Sequence, residues 1–211
     1  VALKSLLLLI IWICMLPSGK AQNLVPNPSF EIFTTCPITL GIGGPLQCTP
    51  WVGINSADYF NVCGGFNTGV PNNAWGFQEA RTGVAYAGVF HKINGGFPEQ
   101  REYIQAPLLE PLEEDVCYEV GYWVNLADDD CPVNRRGVLF SVGPEPSPFM
   151  MIPQVDVSDT FYRDQVNWEY VSGFFLAAGG EDHITIGNFY NDADTDFEPQ
   201  CDAFVVGAYY Y

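Results

Sequence analysis

Two groups of side chains in this 211-residue chain have the types and spacing to do chemistry. The first lies between residues 51 and 81, where Trp51, Tyr59, Phe60, Trp75 and Phe77 alternate with Asn55, Asp58, Asn72, Asn73, Gln78 and Arg81. Sugars bind by stacking their apolar C–H faces on aromatic rings while short polar side chains hold the hydroxyls at the rim. That mixture makes Trp51, Asn55, Asp58, Tyr59, Asn73, Trp75, Gln78 and Arg81 the candidate ligand-binding set. Arg81 stands out because the chain has only 8 Lys and Arg together, and a guanidinium fork can hold two hydroxyls or a carboxylate. The bland reading for any one of these rings is loop packing against the core. The second group is Asn191 to Glu198, where Asp192, Asp194 and Asp196 alternate and Glu198 follows. Hard oxygen ligands in a short loop suit calcium, although the run lacks the glycine an EF-hand requires at its turn. A solvated acidic loop is the alternative.

Catalysis finds little support in the residue pattern. There is no G-x-S-x-G elbow and no H-E-x-x-H, and the two histidines, His91 and His183, accompany no nucleophile motif. Both read as strand-end residues. Asp128, Asp129 and Asp130 are adjacent and so point in different directions, which reads as a turn. The chain is read as a non-enzyme.

The balance of 25 acidic against 8 basic residues gives a formal charge of −17. A field of that sign repels nucleic acid and anionic lipid headgroups and favours cations or neutral ligands. The first 21 residues read as a secretion leader. Lys4 supplies a positive start, Leu6 to Leu16 is apolar, and Gly19-Lys20-Ala21 offers small residues for cleavage. The apolar run is shorter than the roughly 20 residues that span a bilayer, so no membrane insertion of the mature domain is expected. Residues 22–211 then form one domain. Six cysteines remain beyond the leader, Cys36, Cys48, Cys63, Cys117, Cys131 and Cys201. In an exported chain they point to disulfides, with about 15 pairings open. No C-x-x-C pair and only two histidines argue against zinc. The start at Val1 and the apolar stop at Tyr209-Tyr210-Tyr211 read as those of a C-terminally incomplete fragment.

The elements that must position these groups are strands. Helical periodicity is nearly absent, while runs rich in Val, Ile, Tyr, Phe and Trp recur between turn residues. The expected strands are 29–34, 84–91, 102–108, 116–126, 137–142, 168–177, 183–190 and 203–211. Eight strands suit an all-β antiparallel sandwich. The longest two, 116–126 and 168–177, are expected at the centre of the sheets, with Trp123 and Trp168 in the core. Long Gly, Pro and Asn-rich connections, 36–50, 64–75, 94–100, 128–136 and 143–164, are expected as loops that carry binding residues.

Four segments, N-L-V-P-N-P-S-F-E (23–31), A-R-T-G-V-A-Y-A-G (80–88), R-E-Y-I-Q-A-P-L (101–108) and H-I-T-I-G-N-F-Y-N-D (183–192), together resemble the galactose-binding-like jelly-roll modules, akin to carbohydrate-binding modules, of exported surface proteins of gliding-type Gram-negative bacteria. The resemblance implies a jelly roll at or outside the outer membrane, N-terminal to a peptidoglycan-binding domain or a secretion-sorting tail. It implies a structural calcium near the end of the first strand, held by a Glu placed like Glu31 and an Asp of the last strand. Together with the acidic run at 191–198, this makes Glu31, Asp192, Asp194 and Asp196 the expected metal residues. The expected function is a non-catalytic carbohydrate-binding module whose partner is a glycan or cell-surface polysaccharide. The alternative is a structural or adhesive spacer that docks a neighbouring domain or surface protein.

Overall fold

The computed structural model describes residues 22–41, 44–94, 98–201 and 206–211. The expected leader lies outside them. Thirteen strands are present among the described residues: β1 Gly44–Pro45, β2 Val52–Ile54, β3 Asp58–Asn61, β4 Asn72–Asn73, β5 Gly76–Phe77, β6 Ala85–Ile93, β7 Tyr103–Pro107, β8 Cys117–Leu126, β9 Gly137–Ser141, β10 Val155–Asp156, β11 Glu169–Leu176, β12 His183–Gly187 and β13 Val206–Tyr210. One sheet has the order β1-β2-β7-β12-β9-β10, the other β11-β8-β13-β6-β3, and β4-β5 is a separate hairpin. The pairings are antiparallel. The protein is an all-β sandwich.

Alternation along the strands builds the core. In β11, Val171 and Phe175 are buried while Tyr170, Phe174 and Leu176 are exposed, because successive side chains leave a strand on opposite faces. Facing them across the sandwich are Ile104, Ala106, Val138, Phe140, Ile184 and Ile186. Phe140 and Phe175 stack with their ring centroids 4.5 Å apart. Strands β7 and β12 are buried on both faces. The outer face of their sheet is covered where Tyr103, Leu139 and Phe189 pack together, and where Gln105 donates to the Thr185 hydroxyl and the Glu145 carbonyl.

The expected strands are present with shifted bounds, apart from the first. Residues 29–34 are irregular. Pro26 and Pro28 remove backbone donors, and Asn27 and Phe30 sit at φ of 42° and 61°, so the segment cannot join a ladder. It is held instead by the Asn27 side chain, which accepts from Ile32 N–H and donates to the carbonyls of Ile32 and Thr49. The expected central position of 168–177 is corrected as well: β11 is an edge strand, and β8 lies next to it. Their high apolar content comes from rings on the outer face. Strands β2 and β3, together with short pieces in the expected loops, were not legible because runs of two to four residues carry no period.

Among the described residues, disulfides join Cys36 to Cys63 and Cys131 to Cys201. Cys48 departs from the expectation that all six cysteines pair, since it is a free and fully buried thiol. Burial pushes its pKa up to about 12, so it behaves as a small apolar group. The bridges close segments of 27 and 70 residues. Chain entropy gives roughly 3.5 and 4.5 kcal/mol for loops of these sizes. In urea melts, Cys131→Ala/Cys201→Ala is expected to lose more stability than Cys36→Ala/Cys63→Ala. The reverse order would mean that local packing outweighs loop closure.

Candidate functional site

The eight residues of the candidate ligand set do not all meet in one groove: Trp51 and Arg81 line one cleft of about 1200 Å³, and the other six do not line it. Trp51 and Tyr59 lie inside the sandwich, 3% and 2% exposed. The Trp51 indole donates to the Asn27 carbonyl and packs 5.1 Å from Phe30, and the Tyr59 hydroxyl donates to the Phe30 carbonyl. Their rings fix the irregular N-terminal segment and offer no platform to a ligand. Trp75 and Asn73 are on the outer face of the sheet. Trp75 lies against Gly88, where a Cβ would come within 2.4 Å of its ring. It stacks on Phe90 at 4.9 Å and Tyr210 at 5.6 Å, with Phe60 edge-on. The Asn73 amide donates to the Tyr86 hydroxyl, and its carbonyl accepts from the Tyr210 hydroxyl and the Trp75 N–H. Gln78 is buried and donates to Glu79, and Asn55 is exposed with its amide donating to the Arg101 carbonyl.

Arg81 is placed differently. Its guanidinium carbon stands 3.8 Å over the Trp123 ring, at the outer face of β8 and β11. Trp123 in turn lies 5.0 Å from Tyr170. Trp123 and Trp168 were expected in the core. The structure puts both half-buried on the outer surface, since alternate residues of β8 and β11 face away from the other sheet. Trp168 contacts Tyr86 edge-on and donates its N–H to the Glu79 carbonyl. Gly121 makes room for Tyr170, whose hydroxyl would be 1.9 Å from a Cβ there. Tyr170 and Phe174 remain 49% and 58% exposed. Arg81 makes no hydrogen bond or ion pair among the described residues. The result is a row of rings beside an unengaged guanidinium fork. The alternation of Tyr170 and Phe174 with Val171 and Phe175, and the small Gly121, Ser172 and Gly173 between them, was the sequence signal for this face.

The candidate metal residues are engaged elsewhere. Glu31 accepts the Val84 N–H beside Gly83, whose lack of a Cβ leaves space for the carboxylate. Asp192 pairs with Arg101 at 2.8 Å. Against the cost of burial, the Glu99 amide and that guanidinium hold its carboxyl below the usual carboxylate range. Asp194 and Asp196 cap the turn through backbone amides that donate to Asn191 and Asn134. No group of three or more His, Cys, Asp or Glu side chains converges among the described residues. Asp128 to Asp130 form the expected turn, with Asp128 accepting the Phe77 N–H.

His91 was expected to be an ordinary strand-end residue, yet it is fully buried in β6. Its ring nitrogens meet the Arg135 carbonyl at 3.0 Å and the Tyr211 hydroxyl at 2.5 Å. Burial and the nearby Arg136 charge keep it neutral, with its pKa well below the usual value. Arg136 is itself buried against the faces of Tyr209 and Tyr162, at 4.2 and 4.4 Å. His183 sits at the start of β12 against Asp182.

The fold and this surface define the chain as an all-β sandwich with an aromatic outer face on one edge pair. Solved structures similar to it include three cleaved adhesin domains of Lys-gingipain. K2 is 13% identical at a TM-score of 0.44, covering 87% of this chain and 96% of that chain. K1, from Porphyromonas gingivalis W83, is 14% identical at 0.42, covering 81% and 94%. K3, from the same organism, is 13% identical at 0.36, covering 75% and 90%. No family model and no curated protein matches the chain. No helix among the described residues is long and apolar enough to cross a membrane.

Buried carboxyls make stability depend on pH. Desolvation pushes Asp58 up to about 7 and Glu102 up to about 8. The folded protein therefore keeps protons that the unfolded chain releases near pH 4, and the stability present at low pH is lost as pH rises through the folded values. His91 acts in the opposite sense, below about pH 6.5. Between pH 6.5 and 8 the thermal midpoint is expected to fall, and to fall less in Asp58→Asn/Glu102→Gln. Calorimetry at both pH values checks this, and equal slopes in the two proteins would refute it.

Proposed function

We propose that the chain is a non-catalytic, glycan-binding module of galactose-binding-like type from an exported bacterial surface protein, and that it takes its ligand on the outer face of β8 and β11. The observation that carries this reading is the Arg81 guanidinium, unengaged and seated beside the Trp123, Tyr170 and Phe174 rings. A pyranose ring can stack its C–H face on Tyr170 while the guanidinium fork donates to neighbouring hydroxyls. The strongly negative chain suits a neutral or cationic ligand. This site replaces the one expected between residues 51 and 81 and keeps only Arg81 from it.

The second reading, a spacer that docks a neighbouring protein, draws on the exposed Phe174 and Leu176 of edge strand β11. Apolar side chains on an unpaired edge suit a protein partner as well as a sugar.

A glycan array separates the two. Trp123→Ala/Tyr170→Ala is expected to abolish binding with the circular dichroism spectrum unchanged. Trp51→Ala instead removes a buried ring and is expected to cost about 3–5 kcal/mol of stability. Silence of the folded protein across a broad array would move the assignment to the docking reading.

We place no calcium at these residues, because the Glu31 carboxylate accepts from Val84 N–H, Asp192 pairs with Arg101, and no three acids converge among the described residues. Adding a chelator is expected to leave both array binding and the thermal midpoint unchanged. A midpoint that drops on chelation and returns with calcium would instead reinstate a structural ion.

A further inference from the structure

One side of the sandwich is closed where β10 lies against β11, with the Val155 side chain filling the space over Gly173. The opposite side is closed by β1 and β2 at the end of one sheet and by β3 at the end of the other. There the chain steps from sheet to sheet between Ile54 and Asp58. Two irregular segments flank β3. Residues 32–41 are tied down by the Thr34 N–H, which donates to the Gln47 carbonyl, and by the Gly41 N–H, which donates to the Asp58 carboxyl. Residues 62–69 are tied by the Asn61 N–H, which donates to the Thr68 carbonyl. The Cys36–Cys63 bridge holds the two segments side by side, as does the Pro37 carbonyl, which accepts from the Gly65 N–H and the Thr68 hydroxyl.

This side of the molecule is almost free of charge. Across the chain 16% of residues are charged, yet residues 32–78 contain a single Asp, Glu, Lys or Arg, and that residue, Asp58, is buried. The two tied segments are also apolar at their surface. Phe66 is 94% exposed and Ile38 77%, and Ile32, Phe33 and Val62 are exposed with them. Thr34, Thr35, Thr39 and Asn67, exposed in the same segments, supply neutral donors and acceptors. A single exposed apolar side chain needs no explanation, whereas a set of five on two cross-linked segments does. Charge-poor apolar side chains with a neutral polar rim are the composition of a protein–protein contact.

We infer that this face is where two copies of the chain meet, each setting Phe66 and Ile38 against the same patch of the other across a two-fold axis. Charge selects the occupant. A chain with a formal charge of −17 repels an acidic protein, a second copy included, from the surfaces that carry its acids. A basic partner is drawn to those acids and gains no attraction from residues 32–78. The face is therefore left to a partner that is itself acidic and presents a neutral apolar patch, and a second copy meets both conditions. In a two-fold contact each patch covers its own counterpart, so the meeting segments bring no carboxylate with them. Because β3 and β11 are at opposite ends of their sheet, the contact leaves the ring surface of β8 and β11 open in both copies, and it does not depend on what that surface binds.

Sedimentation equilibrium of the full chain, from low to high micromolar concentration, is expected to show dimer forming. Raising NaCl from about 0.05 to about 0.5 M shortens the reach of the repulsion between the acids and is expected to tighten the dimer by about fivefold or more. A contact held by ion pairs would loosen instead. Phe66→Glu and Phe66→Lys each put an unpaired charge into the contact, and each is expected to weaken it by about thirtyfold or more. The side chain is solvent-exposed in one copy, so both variants should keep the thermal midpoint of the monomer. Met150→Ser/Ile152→Ser, at exposed apolar residues of another loop, and Trp123→Ala/Tyr170→Ala should dimerise as before. Monomer throughout the concentration range would overturn the inference. So would a dimer that loosens with salt or is strengthened by Phe66→Lys, since either result would set an acidic surface opposite this face. A dimer that survives both Phe66 variants but is lost in Trp123→Ala/Tyr170→Ala would overturn it too, by moving the contact to β11.

Discussion

The backbone pairing of β13 between β6 and β8 is the constraint on which the rest of the structure depends. β13 is the strand that joins the two halves of its sheet. Its side chains anchor both faces. Tyr209 and Tyr211 point inward to Arg136 and His91, and Tyr210 points outward into the rings of Phe60, Trp75 and Tyr86. Without these pairings β8 and β11 would have no ladder to the remaining strands. β13 meets β8 at two residue pairs among the described residues, Tyr209 with Leu126 and Tyr210 with Asn125.

This sheet carries aromatic residues on both faces, and that shapes what the molecule can do. One outer cluster, around Trp75, is tied internally through the Asn73 amide and two tyrosine hydroxyls. It has the character of a second small core. The other, around Trp123 and Tyr170, is tied at its rim by Trp168 and leaves Tyr170, Phe174 and Arg81 facing solvent. Exposure and unused hydrogen-bond donors set the second cluster apart from the first.

The interior tolerates polar groups by neutralising or stacking them. Burial pushes Asp58 up to about 7 and Glu102 up to about 8, His91 is held neutral, and Arg136 keeps its charge against tyrosine faces. A charge with no room to ionise or no partner would cost several kcal/mol in such a place. The acids that stay ionised lie at the surface with amide or guanidinium partners, as Asp164 and Asp192 do.

By itself the sequence determined the class of fold, the approximate places of β6 to β9 and β11 to β13, and the poverty of catalytic motifs. Period-two runs of β-branched and aromatic residues suffice for that. It also singled out Arg81 as a rare cation among aromatic residues. It could not tell which sheet or which face a ring would occupy. Trp51 and Trp75 share one sequence neighbourhood yet lie on opposite sides of a sheet, while Arg81 and Trp123, far apart in the chain, are stacked. Strand order, register and the side of each pleat arise from long-range pairing, which local pattern does not encode. For that reason the exposed ring face of β8 and β11 and the free, buried thiol of Cys48 were decided only by the tertiary structure.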